Sequence, residues 1–201
     1  MKELNKDLMI NARAALKDNW TLAICGAALY LIATIGIQLI PKAGLIISML
    51  VAGAMTVGLN TFMLSVSRER DIQLSSLMDG FSQYLITLGA YLLQCLFVFL
   101  WSLLLIVPGI IAAYSYSMTF YILADSDGEI GPMEAIRKSK KMMKGNKWKL
   151  CCLTFRFFGW ALLCVLTLGI GFLWLFPYMS VSVAKFYDDI KFQESPVGVV
   201  A

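Results

Sequence analysis

Histidine is absent from the 201 residues, and charge is scarce: Asp, Glu, Lys and Arg together make up 15% of the chain. The side chain that most often serves as general base near neutral pH is therefore missing, and with it a principal zinc ligand. None of the thirteen acidic residues lies inside a long apolar run. Proton relays and cation sites in a bilayer depend on intramembrane carboxylates, so proton-coupled transport and intramembrane hydrolysis both lose support. Gly128-Glu129-Ile130-Gly131 lacks the Lys-Ser/Thr that a phosphate-binding loop needs. The five cysteines, Cys25, Cys95, Cys151, Cys152 and Cys164, form no C-x-x-C pair. They read as buried free thiols rather than metal ligands or disulfides. A cleavable leader is not evident either. The first apolar run starts near Trp20, after Glu3, Asp7 and Asp18, so it reads as a retained signal anchor.

What is present is apolar. Hydrophobic residues make up 59% of the chain, and the mean hydropathy is +0.74. Soluble domains are roughly 45–50% apolar, and a water-soluble core has no room for this much apolar surface. The expected class is an all-α integral membrane protein. About six transmembrane helices form three helical hairpins, with amphipathic helices lying in the cytoplasmic interface. The whole chain, 1–201, reads as one membrane domain.

In chain order, residues 3–18 carry Leu4, Leu8, Ala12, Ala15 and Leu16 at helical spacing and read as an interfacial helix. Span 1 covers about Trp20–Ile40, roughly 31 Å by helix rise, and breaks at Pro41, Lys42 and Gly44. Span 2 covers about Leu45–Ser67. Gly44, Ser48, Ala52, Thr56 and Asn60 recur there every four residues, a small face suited to close helix packing. Residues 72–83 form a second interfacial segment. Span 3, about Tyr84–Val107, closes at Pro108-Gly109, and span 4 runs over about Ile110–Ala124. Spans 5 and 6, about Trp148–Leu168 and Phe172–Tyr187, are joined through Gly169-Ile170-Gly171. A single span over 157–176 is the rival reading.

Thirteen of the seventeen Lys and Arg fall in the N-terminus, the loops after spans 2 and 4, and the C-terminus, and Lys149 and Lys185 lie within two residues of the span ends that adjoin them. The positive-inside rule puts these four segments in the cytoplasm, with both termini inside a cytoplasmic (plasma) membrane. The densest is Gly131–Trp148, with Arg137, Lys138, Lys140, Lys141, Lys144 and Lys147 ahead of Trp148. Met133, Ile136 and Met143 supply its apolar face. Such a cluster beside a span attracts anionic headgroups, at about 1 kcal/mol per cation. Arg156 falls within span 5, about 12 Å in from Trp148. It either snorkels to the headgroups or meets a lipid phosphate, Asn60 or Gln94. Asn60 and Gln94 are the candidate intramembrane polar positions. Asp79, Asp125, Asp127, Asp188 and Asp189 read as solvated loop charges, and no catalytic, cofactor or metal residue stands out.

The layout repeats over about 3–68, 72–125 and 131–190. Trp20, Tyr84 and Trp148 open the three hairpins at equal spacing. Thr61-Phe62-Met63, Thr119-Phe120-Tyr121 and Lys185-Phe186-Tyr187 echo one another near their ends. Three copies of one unit is one explanation. Aromatic belts at every membrane boundary is the other.

ARAALKDNW, VPGIIAAYSYSMTFYILAD, MEAIRKSKKMMKGNKWKL and GIGFLWLFPY with the following FYDD resemble the domain of unknown function 975 family. That resemblance implies a multi-span bacterial membrane protein, of a kind found largely in Gram-positive bacteria, and assigns no activity. The role expected is a non-enzymatic membrane accessory or organising protein. Its partners are anionic lipids or other membrane proteins, not nucleic acid, and no cofactor is needed. The alternative is a transporter or channel for a small or lipid-like solute, with Gln38, Asn60, Gln94, Ser117 and Arg156 along its path.

Overall fold

Every regular element among the described residues is helical. The structure, a computed structural model, describes residues 5–17, 19–39, 44–69, 72–126, 128–167, 169 and 171–194, with side chains except at 45, 46, 104, 106 and 194. The expected turn at Pro41-Lys42, and also Leu4, Asp127 and Ile170, lie outside the described residues.

The elements are α1 (Asn5–Leu16), α2 (Trp20–Gln38), α3 (Gly44–Ser67), a 3-10 turn (Leu74–Met78), α4 (Asp79–Ser82), α5 (Tyr84–Leu104), α6 (Ile106–Tyr116), α7 (Thr119–Ala124), α8 (Pro132–Met142), α9 (Lys147–Leu166) and α10 (Phe172–Glu194). Five stretches are long and apolar enough to cross a membrane: Trp20–Gln38, Ile47–Ser67, Tyr84–Leu103, Val107–Ala124 and Lys147–Leu166. The first, third and fifth are peripheral, with 17%, 11% and 22% of their residues buried, against 50% and 61% in the other two. The peripheral helices turn Leu85, Phe99, Phe155 and Leu166 outward, an apolar surface that water does not favour. Inside them, α3 packs on both α7 and α10, and Tyr121 of α7 stacks on Tyr187 of α10 with ring centres 5.7 Å apart. Tyr187, Phe62, Phe157 and Phe186 are the bulkiest fully buried side chains.

The last two apolar runs are separate helices, so the single span over 157–176 is excluded. Gly169 takes a φ of +86° and its N–H donates to the Cys164 carbonyl at 3.0 Å, a left-handed glycine stop after α9. The preceding hairpin turns earlier than expected. Its break is the single extended residue Leu105 (φ −164°, ψ 147°), and Pro108-Gly109 belong to α6. Proline is tolerated in a first helical turn, where its missing N–H has no partner to lose. Gly109 belongs there because a Cβ would stand 2.9 Å from the Ser102 Cα.

Four further expectations change. The fourth apolar stretch is not one helix but α6 and α7, interrupted at Ser117-Met118. Segment 72–83 is not one amphipathic helix. Its 3-10 turn and α4 lie flush on α3, where a Cβ on Gly58 would stand 2.0 Å from the Leu77 carbonyl oxygen and one on Gly80 1.9 Å from that of Ala54. The tightest approach on α3 is thus at Gly58, two positions on from Thr56 and outside the expected register, while Gly53 and the in-register Gly44 are equally close to backbone, each 2.6 Å from a carbonyl oxygen. Helix α1, the first amphipathic segment, docks on the bundle through Leu8, Ala12, Ala15 and Leu16, buried against its neighbours α10, α3 and α9. Of the cysteines only Cys164 is buried; Cys25, Cys95 and Cys152 are exposed and Cys151 is half-buried. All but one sit on the peripheral faces of apolar helices, where a thiol behaves as a small apolar group.

Candidate functional site

The basic segment begins as a helix for local reasons. Gly131 precedes it in extended conformation, Pro132 takes the first helical position and Glu134 lies in the first turn. Lys140 and Lys141 stand in the last turn, where cations complement the helix dipole. Ala135, Ile136, Ser139, Met142 and Met143 form the buried stripe of α8, which packs on α5, α6 and α7. Of the expected apolar face, Ile136 and Met143 are buried and Met133 is 41% exposed. Arg137, Lys138, Lys140, Lys141 and Lys144 face outward, Lys147 is half-buried, and Trp148 is 78% exposed. The helix therefore spends its apolar side on the protein and presents a cationic side, bounded by a tryptophan.

Ser139 is the residue that the sequence reading missed. It is fully buried, donates to the Ser115 carbonyl at 2.9 Å and accepts from the Met118 amide at 3.2 Å. Those two backbone groups are freed where α6 gives way to α7. Nearby Ser115, Ser117 and Thr119 donate to the Ile111, Tyr114 and Tyr116 carbonyls, turning their hydroxyls inward on their own helix. A serine among lysines reads as surface. The clue to its burial was its register with Ala135, Ile136 and Met142.

The same end of the molecule carries an ion cluster. Arg68, just beyond α3, donates to Asp125 at 2.6 Å and to Asp188 at 2.7 Å. Lys191 and the Tyr187 hydroxyl also donate to Asp125, the latter at 3.0 Å. Arg68 thus ties the end of α7 to α10. Burial opposes the charge on Asp125, yet the hydrogen bonds from Arg68 and Lys191 outweigh it and hold its pKa below the usual carboxylate range. Burial likewise opposes the Arg68 charge, and its bonds to Asp188 and Asp125 raise its pKa instead. Lys149 donates to Asp189 at 2.5 Å and lies 5.6 Å from the centre of the Phe186 ring. The reading of Asp125, Asp188 and Asp189 as solvated loop charges is therefore corrected. Asp79 stays exposed beside a cavity of about 300 Å³.

The other candidates are dispersed. Asn60 is buried on α3, and Gln94 is half-buried on α5 with its amide oxygen buried and unpartnered among the described residues. Gln38 is exposed at the end of α2, and Ser117 borders an apolar cavity of about 350 Å³ between α6, α9 and α10. Arg156 is exposed on α9, within electrostatic reach of Tyr178, and bonds to neither Asn60 nor Gln94. Among the described residues no three His, Cys, Asp or Glu side chains group as a metal site.

No curated protein and no solved structure matches the chain. A family model described as protein of unknown function (DUF975) matches residues 103–194. That segment holds the α6–α7 interruption, the cationic helix with its buried serine, Asp125, and the α9–α10 hairpin with Asp188. The N-terminal ARAALKDNW lies outside the match. Through residues 103–194, the chain is thus similar to the family of proteins of unknown function, DUF975.

Proposed function

We propose that this is a six-span protein of the bacterial cytoplasmic membrane, with both termini inside, acting as a non-enzymatic accessory that holds anionic lipid against its cytoplasmic face. The observation that carries the reading is α8: a helix with its apolar side docked on the bundle, its cations outward, and Trp148 exposed next to apolar peripheral helices. Cations so placed attract anionic headgroups, and a tryptophan suits the headgroup boundary. Helix α10 serves as the sixth span. Packed on α3, α9 and α2, it needs less lipid-facing apolar surface than a peripheral helix. That accounts for Lys185, Asp188 and Asp189 near its inner end.

The carboxylates that meet at this end each face a cation, which supports a role without acid–base chemistry. Transport would need Gln38, Asn60, Gln94, Ser117 and Arg156 to share a path, and no hydrogen bond joins any two of them among the described residues.

The test uses the full chain in bilayers mixing phosphatidylglycerol with phosphatidylcholine, extracted with their lipid annulus. The wild-type annulus is expected to be enriched in phosphatidylglycerol, and Arg137→Gln/Lys138→Gln/Lys140→Gln to lose much of that enrichment. Identical annuli for the two proteins would dispose of the reading.

A further inference from the structure

A groove of about 410 Å³ runs between α1, α9 and α10, with Trp20, Trp160, Trp174 and Tyr178 in its walls and Arg13 at its edge. Trp160 and Trp174 are more than half exposed, so the groove opens on the outside of the bundle. Arg156 is exposed on α9, one helical turn before the groove-lining Trp160 and so on the same side of that helix. Two arginines from helices far apart in sequence thus flank one groove. Neither has an acidic partner among the described residues. The Tyr178 hydroxyl is already committed as donor to the Met9 carbonyl at 3.2 Å, so it does not neutralise them.

An arginine pair beside an apolar groove is complementary to a ligand with an anionic head and a hydrocarbon tail. Guanidinium groups bind phosphate oxygens through paired N–H donors, and aromatic walls take up apolar chain. The volume suits a headgroup phosphate and the start of one acyl chain, within the range of ligand pockets. It leaves the rest of the lipid in the bilayer.

We propose that this groove is a discrete binding site for one anionic phospholipid, its phosphate held between Arg13 and Arg156 and an acyl chain laid along Trp20, Trp160 and Trp174. The proposal rests on the bilayer location in the proposed function but uses residues remote from the α8 cations. It also gives α1 a role: docking on α10 brings Arg13 to the groove.

Native mass spectrometry of the delipidated full-length protein, titrated with phosphatidylglycerol, separates the two readings. The wild type is expected to take up one tightly held phosphatidylglycerol ahead of weaker ones. Arg13→Gln and Arg156→Gln, both at exposed positions, are each expected to weaken that first event about tenfold. The Arg137→Gln/Lys138→Gln/Lys140→Gln protein is expected to keep it and lose weaker binding. Unchanged first binding in both groove variants overturns the site, as does equal competition by phosphatidylcholine. In either case a loss in the α8 variant would leave the broader lipid reading standing.

Discussion

Ser139 shows how a single hydroxyl decides a helix's path. Two backbone groups at the α6–α7 interruption are buried, and an unmade hydrogen bond there costs about 1–3 kcal/mol. Ser139→Ala strands both groups and is expected to lower stability by about 1–3 kcal/mol, seen as an earlier thermal unfolding transition in detergent. Ser76→Ala, on a half-buried side chain of the 3-10 turn, is expected to change little. A second residue-scale prediction concerns acid. Asp125 has a lowered pKa in the folded protein, so its contribution is present above the ordinary carboxylate value and is lost as pH falls through the lowered one. Stability of the wild type is expected to fall as pH drops below about 4. Asp125→Asn should be less stable at neutral pH and flatter over the same range, and parallel pH curves for the two proteins would count against the linkage. Neither residue was legible in the sequence as a contact. The partners of Asp125 stand 57 and 66 positions away, and only the common sidedness of the helix ends hinted that they meet.

At the scale of elements, the long apolar runs were legible because a helix that can cross a bilayer needs a minimum apolar length. Their interruptions were not always so. Gly169 signalled the α9–α10 break through its freedom to take positive φ. Pro108 pointed to the wrong residue, because the same proline that ends one helix also begins the next. The α6–α7 break has no glycine or proline, and its freed backbone groups are met by the buried serine of another helix. The 3-10 turn and α4 depend on α3 glycines. Gly58→Ala is expected to destabilise by more than about 2 kcal/mol, since the new Cβ would collide with backbone rather than a flexible side chain. Gly159→Ala in α9 meets nothing within 4 Å and is expected to be neutral or stabilising by up to about 1 kcal/mol. Unfolding midpoints of the two variants should therefore move apart.

For the whole molecule, each hairpin sets a peripheral helix, α2, α5 or α9, beside a more interior one. Sequence hydropathy finds the peripheral helices readily because they meet solvent all along one side. It undervalues α10, whose neighbours are protein. The proposed six-span layout predicts opposite sidedness for the two ends. On a cysteine-free background, Leu105→Cys should react with an impermeant maleimide in intact cells and Lys144→Cys only after permeabilisation; the reverse pattern would invert the topology. The bridge from Ser139 to Met118 also makes α8 a lever. A pull on its charged flank would act on the α6–α7 interruption through the two hydrogen bonds of Ser139. Faster deuterium uptake at the Met118 amide is then the gauge of that pull.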